Sequence, residues 1–343
     1  MQVSFNNFLE YPISVSWEIT TACNFNCVHC RMDDEKGIES NEEMSLDKVK
    51  LHIDELSGLG IKQINFSGGE PFCRSDFLDI LRYVDKKGIQ IGITSNGSLI
   101  DDKLAEELSH IRSIDLVQIS LDGKDAVMHN YIRGVNDAYV NAINAMKSLL
   151  KAGIRTGAVT TVMSLNYMQV EDIFHLLLAL GVNSFGARRF MPVGKGGRSL
   201  TNLVLTKEQY KDHCVLWAKL VHSYENRIQL FIEEPLMGIL HKYLPENWLL
   251  SGCIAGSAYG AIMANGDVRA CIFVPEPLGN LKEKSFADIW TQSKLRPLFT
   301  NKTYTGKCEA CSEKNICGGC RAMSYAINGK IDDYDTLCFR ELM

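Results

Sequence analysis

The sequence predicts an α/β fold, a partial (β/α)6 barrel followed by a small cysteine-rich domain with a β-hairpin and helices. Three observations lead there. Short apolar strands alternate with amphipathic helices as far as Phe190. Glycines follow several of those helices as stop residues. Beyond about Leu200 the alternation ends, and seven of the twelve cysteines lie past residue 250.

Strands are expected at residues 14–20, 63–67, 90–94, 116–120, 155–163 and 184–190, with helices at 45–57, 75–87, 101–109, 137–152 and 167–180. In the last helix Val170, Ile173, Phe174, Leu177 and Leu178 recur at helical spacing. Gly58, Gly88, Gly153 and Gly181 are read as helix stops. Six β-then-α units in order imply a parallel sheet with right-handed crossovers. They are too few for a complete eight-fold barrel, so an open one is expected, with its site at the C-terminal strand ends. A long helix is expected at 206–225, then a strand and a short helix near 233–243. Residues 261–264 and 267–272 flank Asn265-Gly266, a tight-turn signal for a hairpin. The expected divisions are 1–200 for the barrel, 201–250 for a helical bridge and 251–343 for the cysteine-rich domain.

Composition narrows the functional classes. The 343 residues carry 46% hydrophobic and 22% charged side chains, an ordinary globular balance. A formal net charge of −5 argues against a nucleic-acid partner. No window approaches the roughly 18 apolar residues of a membrane span. Residues 1–5 lack the basic and apolar regions of a signal peptide, so a cytoplasmic location is expected. Without export, twelve cysteines suggest thiolates reserved for metal rather than disulfides.

Cys23, Cys27 and Cys30 are spaced C-x3-C-x2-C just after the first strand. Three thiolates so placed can hold three irons of a cubic [4Fe–4S] cluster, leaving the fourth iron open to a small molecule. A zinc site would need a fourth ligand that this spacing lacks. Gly68-Gly69-Glu70-Pro71 follows the second strand, Ser95-Asn96 the third, and Ser120 with Asp122 the fourth. Arg188, Arg189, Lys195 and Arg198 follow the sixth on a Gly-rich loop expected to be flexible. Cys253 and Cys271 flank Gly266, and Cys308, Cys311, Cys317, Cys320 and Cys338 follow. A zinc ribbon of Cys308, Cys311, Cys317 and Cys320 is the alternative, and it leaves Cys253, Cys271 and Cys338 without a role.

Together these motifs resemble the radical S-adenosylmethionine (SAM) superfamily, with a C-terminal SPASM extension. The resemblance spans about residues 14–340 and implies the following. Cys23, Cys27 and Cys30 hold the cluster that binds SAM and yields the 5′-deoxyadenosyl radical. Gly68, Gly69, Glu70 and Pro71 meet the methionine amino group, with the Glu70 carboxylate available to it. Ser95, Asn96, Ser120, Asp122 and Arg133 lie near the SAM methionyl, ribose and carboxylate groups, and Arg189 is a further carboxylate partner. His29 packs near the adenine. Cys308, Cys311, Cys317 and Cys338 hold one auxiliary [4Fe–4S] cluster, while Cys253, Cys271 and Cys320 hold another with three thiolates. The run Cys317-Gly318-Gly319-Cys320 has two intervening residues where the familiar pattern has three.

Cys73 and Cys214 belong to neither set and read as small buried hydrophobes, with hydrogen-atom donation the alternative. The resemblance implies hydrogen abstraction from a peptide or protein side chain; the alternative is oxidation or decarboxylation of tetrapyrrole propionates. An iron–sulfur electron carrier is a third reading, and the Gly-Gly-Glu motif speaks against it. A reductant such as flavodoxin or ferredoxin is an expected partner. So is a separate leader-recognition protein, because only about 13 residues precede the first strand.

Overall fold

A computed structural model describes residues 9–32, 43–199, 201–224, 226–231, 234–245 and 252–343. Residues 1–5 and the element ends expected at residues 200, 225, 233 and 250 lie outside this set. The chain runs β1 (Ser14–Glu18), α1 (Leu46–Gly58), β2 (Gln63–Ser67), α2 (Phe77–Lys86), β3 (Gln90–Ser95), α3 (Asp102–Ser109) and β4 (Ile114–Ser120). It continues α4 (Ala126–Arg133), α5 (Ala138–Lys151), β5 (Thr156–Val162), α6 (Val170–Leu180), β6 (Ser184–Arg189) and α7 (Gly194–Ser199). Then come α8 (Lys207–Tyr224), β7 (Gln229–Phe231), β8 (Tyr259–Ile262), β9 (Asp267–Arg269) and β10 (Gly279–Asn280). The last helices are α9 (Phe286–Gln292), α10 (Pro297–Thr300) and α11 (Arg321–Asn328).

Among the described residues one sheet contains all ten strands, in the order β10-β9-β8-β1-β2-β3-β4-β5-β6-β7. Strands β1 to β7 run parallel, each paired with the next. The six expected units are therefore present, and β7 extends them. β8 from the cysteine-rich segment joins β1 in parallel, and the β8–β9 hairpin then turns antiparallel. β7 and β10 are the outer strands, so the sheet is open.

Burial explains the local choices. In β1, Val15 and Trp17 alternate inward and are fully buried, and Trp17 stacks on Phe66 with centroids 6.2 Å apart. In α2, Phe77, Ile80, Leu81 and Val84 form one buried stripe. Asp101 and Asp125 cap α3 and α4 by accepting the backbone N–H of Leu104 and Met128.

Three expectations change. Gly58 lies inside α1, and Gly60 takes the left-handed position beyond it. α4 was not expected: Asp125 starts it and Gly134 stops it. The segment after β6 is not a flexible loop, because residues 194–199 form the short helix α7.

Replacing Trp17 by Ala removes the largest side chain of the β1 face. We expect a loss of about 3–5 kcal/mol of stability, read by chemical denaturation.

Candidate metal centres

The segment carrying Cys23, Cys27 and Cys30 leaves the C-terminal end of β1 and is held by backbone on several sides. Gly69 N–H donates to Thr20 O and Glu70 N–H to Ala22 O, each at 2.8 Å. Val28 N–H donates to Ile132 O at the end of α4, and Gly196 N–H in α7 donates to Cys30 O, each at 2.9 Å. Lys195 N–H reaches Met32 O at 3.0 Å. These approaches require glycine. A Cβ on Gly69 would overlap the Ala22 carbonyl, and one on Gly194 would overlap that of Arg31. The Gly-Gly pair therefore admits the chain's own cysteine segment. Glu43 adds a further tie, accepting Thr20 Oγ1 at 2.9 Å and Thr21 N at 2.7 Å.

The Glu70 carboxylate is tied into the loops around it. It is fully buried and accepts Ser95 Oγ at 2.8 Å, Asn96 N at 2.7 Å and Phe72 N at 3.3 Å. Burial raises its pKa, and the Asn96 N–H opposes that rise. Asn96 Nδ2 in turn donates to Asn24 Oδ1 at 2.9 Å. Glu70, Ser95 and Asn96 thus lock the loops after β2 and β3 to the cysteine segment. Pro71 opens a short 3-10 turn through Cys73, which is half-buried.

A charged group lies at the ends of β4 and α4. Asp122 is fully buried, and its Oδ1 accepts Thr161 N at 2.8 Å. Arg133 Nη2 stands 2.7 Å from Asp122 Oδ2, and Nη1 is 3.8 Å from Cys27 Sγ. Burial opposes the Asp122 charge, but Arg133 and then His29 outweigh it and hold the carboxyl low. His29 Nε2 is 3.7 Å from Asp122 Oδ2, and burial pushes its pKa down to about 4. His129 Nδ1 accepts Asp122 N at 2.9 Å, which fixes its tautomer. Ser120 is buried at the end of β4.

Five polar atoms here are buried without a hydrogen-bond partner: His29 Nδ1, Asp122 Oδ2, His129 Nε2, Arg133 Nε and Ser67 Oγ. The ion pair to Asp122 is close but not aligned as a hydrogen bond. Unpaired donors and acceptors beside three cysteines suit a zwitterionic ligand such as an amino acid moiety.

None of the twelve cysteines is in a disulfide. Among the described residues, no three acidic, His or Cys side chains converge as a single metal ion would need. A cubane asks for less, since each thiolate binds a different iron. The distal cysteines separate into two groups. Cys308, Cys311, Cys317 and Cys338 line one cavity of about 440 Å³. Arg340 Nη1 lies 2.9 Å from Cys311 Sγ at its rim. Cys253 stands near Cys271 and Cys320: burial raises both thiols, and Cys253 raises them further.

The two residues between Cys317 and Cys320 have no room for a side chain. Gly318 and Gly319 both take left-handed backbone, φ +65° and +68°, and turn the chain sharply under Tyr304 and against Asp335. Burial lifts Cys23 to about 11, and Cys271 and Cys317 to about 12. Bound metal reverses this by stabilising the thiolate.

Arg189 is engaged by the protein itself. Its guanidinium is buried, with Nη1 and Nη2 at 3.1 and 2.5 Å from the Asp335 carboxylate, so it is committed inside the fold. Cys214 is buried in α8, and burial raises its thiol. Sequence reasoning did not single out Glu43 or Asp335, and it did not foresee the clamping part of Gly134, Gly194 and Gly196. For Asp335 the one available signal was its place between Cys320 and Cys338.

Gly69→Val would force the cysteine segment away from β2. We expect the distal cysteines to keep their iron while the site of Cys23, Cys27 and Cys30 loses it, read as iron per chain with visible absorption. Glu70→Ala leaves two or three buried donors unpaired and should cost about 1–3 kcal/mol for each, measured by thermal or urea unfolding.

The family models that match are the radical SAM superfamily over residues 17–177 and the SPASM iron–sulfur cluster-binding domain over residues 253–312. The mycofactocin maturase MftC of Mycolicibacterium smegmatis is 30% identical, covering 97% of this chain and 84% of its own. An AdoMet-dependent heme synthase of Methanosarcina barkeri is 28% identical over 95% of this chain and 96% of its own. Streptococcus suis SuiB, solved with the precursor peptide SuiA, shares the fold with a TM-score of 0.79 at 19% identity, covering 97% of this chain and 77% of its own. The cofactors are a [4Fe–4S] cluster with SAM, and auxiliary iron–sulfur clusters in the C-terminal domain. The chain is an enzyme of the radical SAM superfamily, in the group that carries a C-terminal SPASM domain.

Proposed function

We propose that this enzyme abstracts a hydrogen atom from a peptide or protein side chain and completes a net oxidation. When bound, the cluster and SAM supply the 5′-deoxyadenosyl radical; the protein supplies position and exclusion. In this reading Cys23, Cys27 and Cys30 hold the SAM cluster. Gly68, Gly69 and Pro71 shape the backbone beside it. Ser95, Asn96, Ser120 and Asp122 frame the pocket, and Arg133 offers its unpaired Nε–H to the SAM carboxylate. Cys308, Cys311, Cys317 and Cys338 hold one auxiliary cluster, and Cys253, Cys271 and Cys320 hold the other. When loaded, these cysteines would place an acceptor for the substrate electron, and a flavodoxin or ferredoxin would be the reductant.

One observation favours a peptide over a tetrapyrrole. Tetrapyrrole propionates would draw on the four cations after β6, and two of these are engaged by the protein: Arg189 is bound by Asp335 and Lys195 Nζ donates to Asn26 Oδ1. The maturase relative and the peptide held by SuiB support the same substrate class. The tetrapyrrole reading keeps one argument, the near full-length match to a heme synthase.

Anaerobic reconstitution with dithionite and SAM should release 5′-deoxyadenosine, and peptides encoded beside its gene should increase the yield. Stimulation by an iron porphyrin and by no peptide would overturn the substrate assignment. No 5′-deoxyadenosine under any condition would overturn the reaction itself. Iron and sulfide should match three clusters; iron for one cluster together with zinc would remove the auxiliary assignment.

A further inference from the structure

Arg189 closes β6 at the barrel's C-terminal end, and its side chain crosses to the cysteine-rich segment. Its Nη2 lies 2.5 Å from Asp335 Oδ2, and the same oxygen accepts Cys320 N–H at 2.9 Å. Asp335 Oδ1 accepts Arg189 Nη1 at 3.1 Å and Leu337 N–H at 3.0 Å, while the Asp335 carbonyl accepts Cys338 N–H at 3.0 Å. Glu234 takes the Arg189 backbone N–H at 3.0 Å and the Tyr210 hydroxyl at 2.8 Å. The guanidinium also lies 4.7 Å from the Tyr210 ring centroid. Arg189, Asp335, Glu234 and Tyr210 are all buried. One fixed cation and two carboxylates thus stand in a dry region, one hydrogen bond from the backbone of a cysteine.

We propose that Arg189 and Asp335 are a positioning pair that sets the seat and the reduction potential of the cluster carried by Cys253, Cys271 and Cys320. The inference rests on the cluster assignment above. Two physical facts carry it. Cluster potentials follow local net charge and hydrogen bonding. Charges inside a protein act at low dielectric, so a single buried charge is felt strongly by a neighbour. The bidentate arginine–carboxylate geometry fixes the Cys320 loop to β6, and therefore to the barrel end where the radical forms.

The test is an EPR-monitored redox titration of the anaerobically reconstituted enzyme and three variants. The parent should show three cluster signals; fewer would reject the cluster assignment rather than this inference. Arg189→Gln removes the cation and should lower the midpoint of one cluster. Asp335→Asn removes the opposite charge and should raise that same midpoint. Arg189→Lys keeps the charge and should return the midpoint toward the parent value. Loss of that one cluster alone in a folded variant would also support the pair's positioning role. Shifts of the same sign, no shift in folded variants, or joint loss of all clusters or of the fold in all three would overturn it.

Discussion

The constraint on which the molecule depends is the close approach of backbone to backbone around the first cysteine segment. Its carbonyls accept N–H groups from the loop after β2 and from α7, and it donates in turn to the end of α4. Each neighbour comes near because a glycine stands at the contact. Three thiols spaced for a cubane need a rigid frame, because reacting groups misplaced by about an ångström lose rate steeply. The parallel sheet supplies that frame by bringing its strand ends together.

Around this frame the chain buries charge in compensated groups. Asp122 with Arg133 sits beside Cys27, and Asp335 with Arg189 sits beside Cys320. A buried carboxylate or guanidinium without a partner is costly, and paired ones hold a single geometry. The two halves are joined through the same logic: β8 is stitched to β1 by backbone hydrogen bonds, and Arg189 of β6 is tied to Asp335 of the cysteine-rich segment.

Much of this was legible in the sequence. The six parallel units follow from periodicity, and the first three cysteines and the distal seven from spacing and residue chemistry. α4 was not legible, because Ala126–Arg133 is short and two of its three buried residues, His129 and Arg133, are polar. The strand expected between the long helix and residue 233 is β7, but at three residues it is too short for its bounds to register in the sequence. Partners distant in sequence were beyond reach: Arg189 and Asp335 are separated by 146 positions. Glu70 shows the same limit. Its motif marked the place, but only the fold shows its carboxylate committed to Ser95 and Asn96.

The central claim is that only the cluster at Cys23, Cys27 and Cys30 binds SAM. EPR spectra of the reduced enzyme with and without SAM test this most directly, using the parent and a variant with all three cysteines changed to Ala. The account predicts that SAM alters one signal in the parent, and that this signal is absent from the variant while the auxiliary signals persist. A SAM-dependent change that survives in the variant would contradict it.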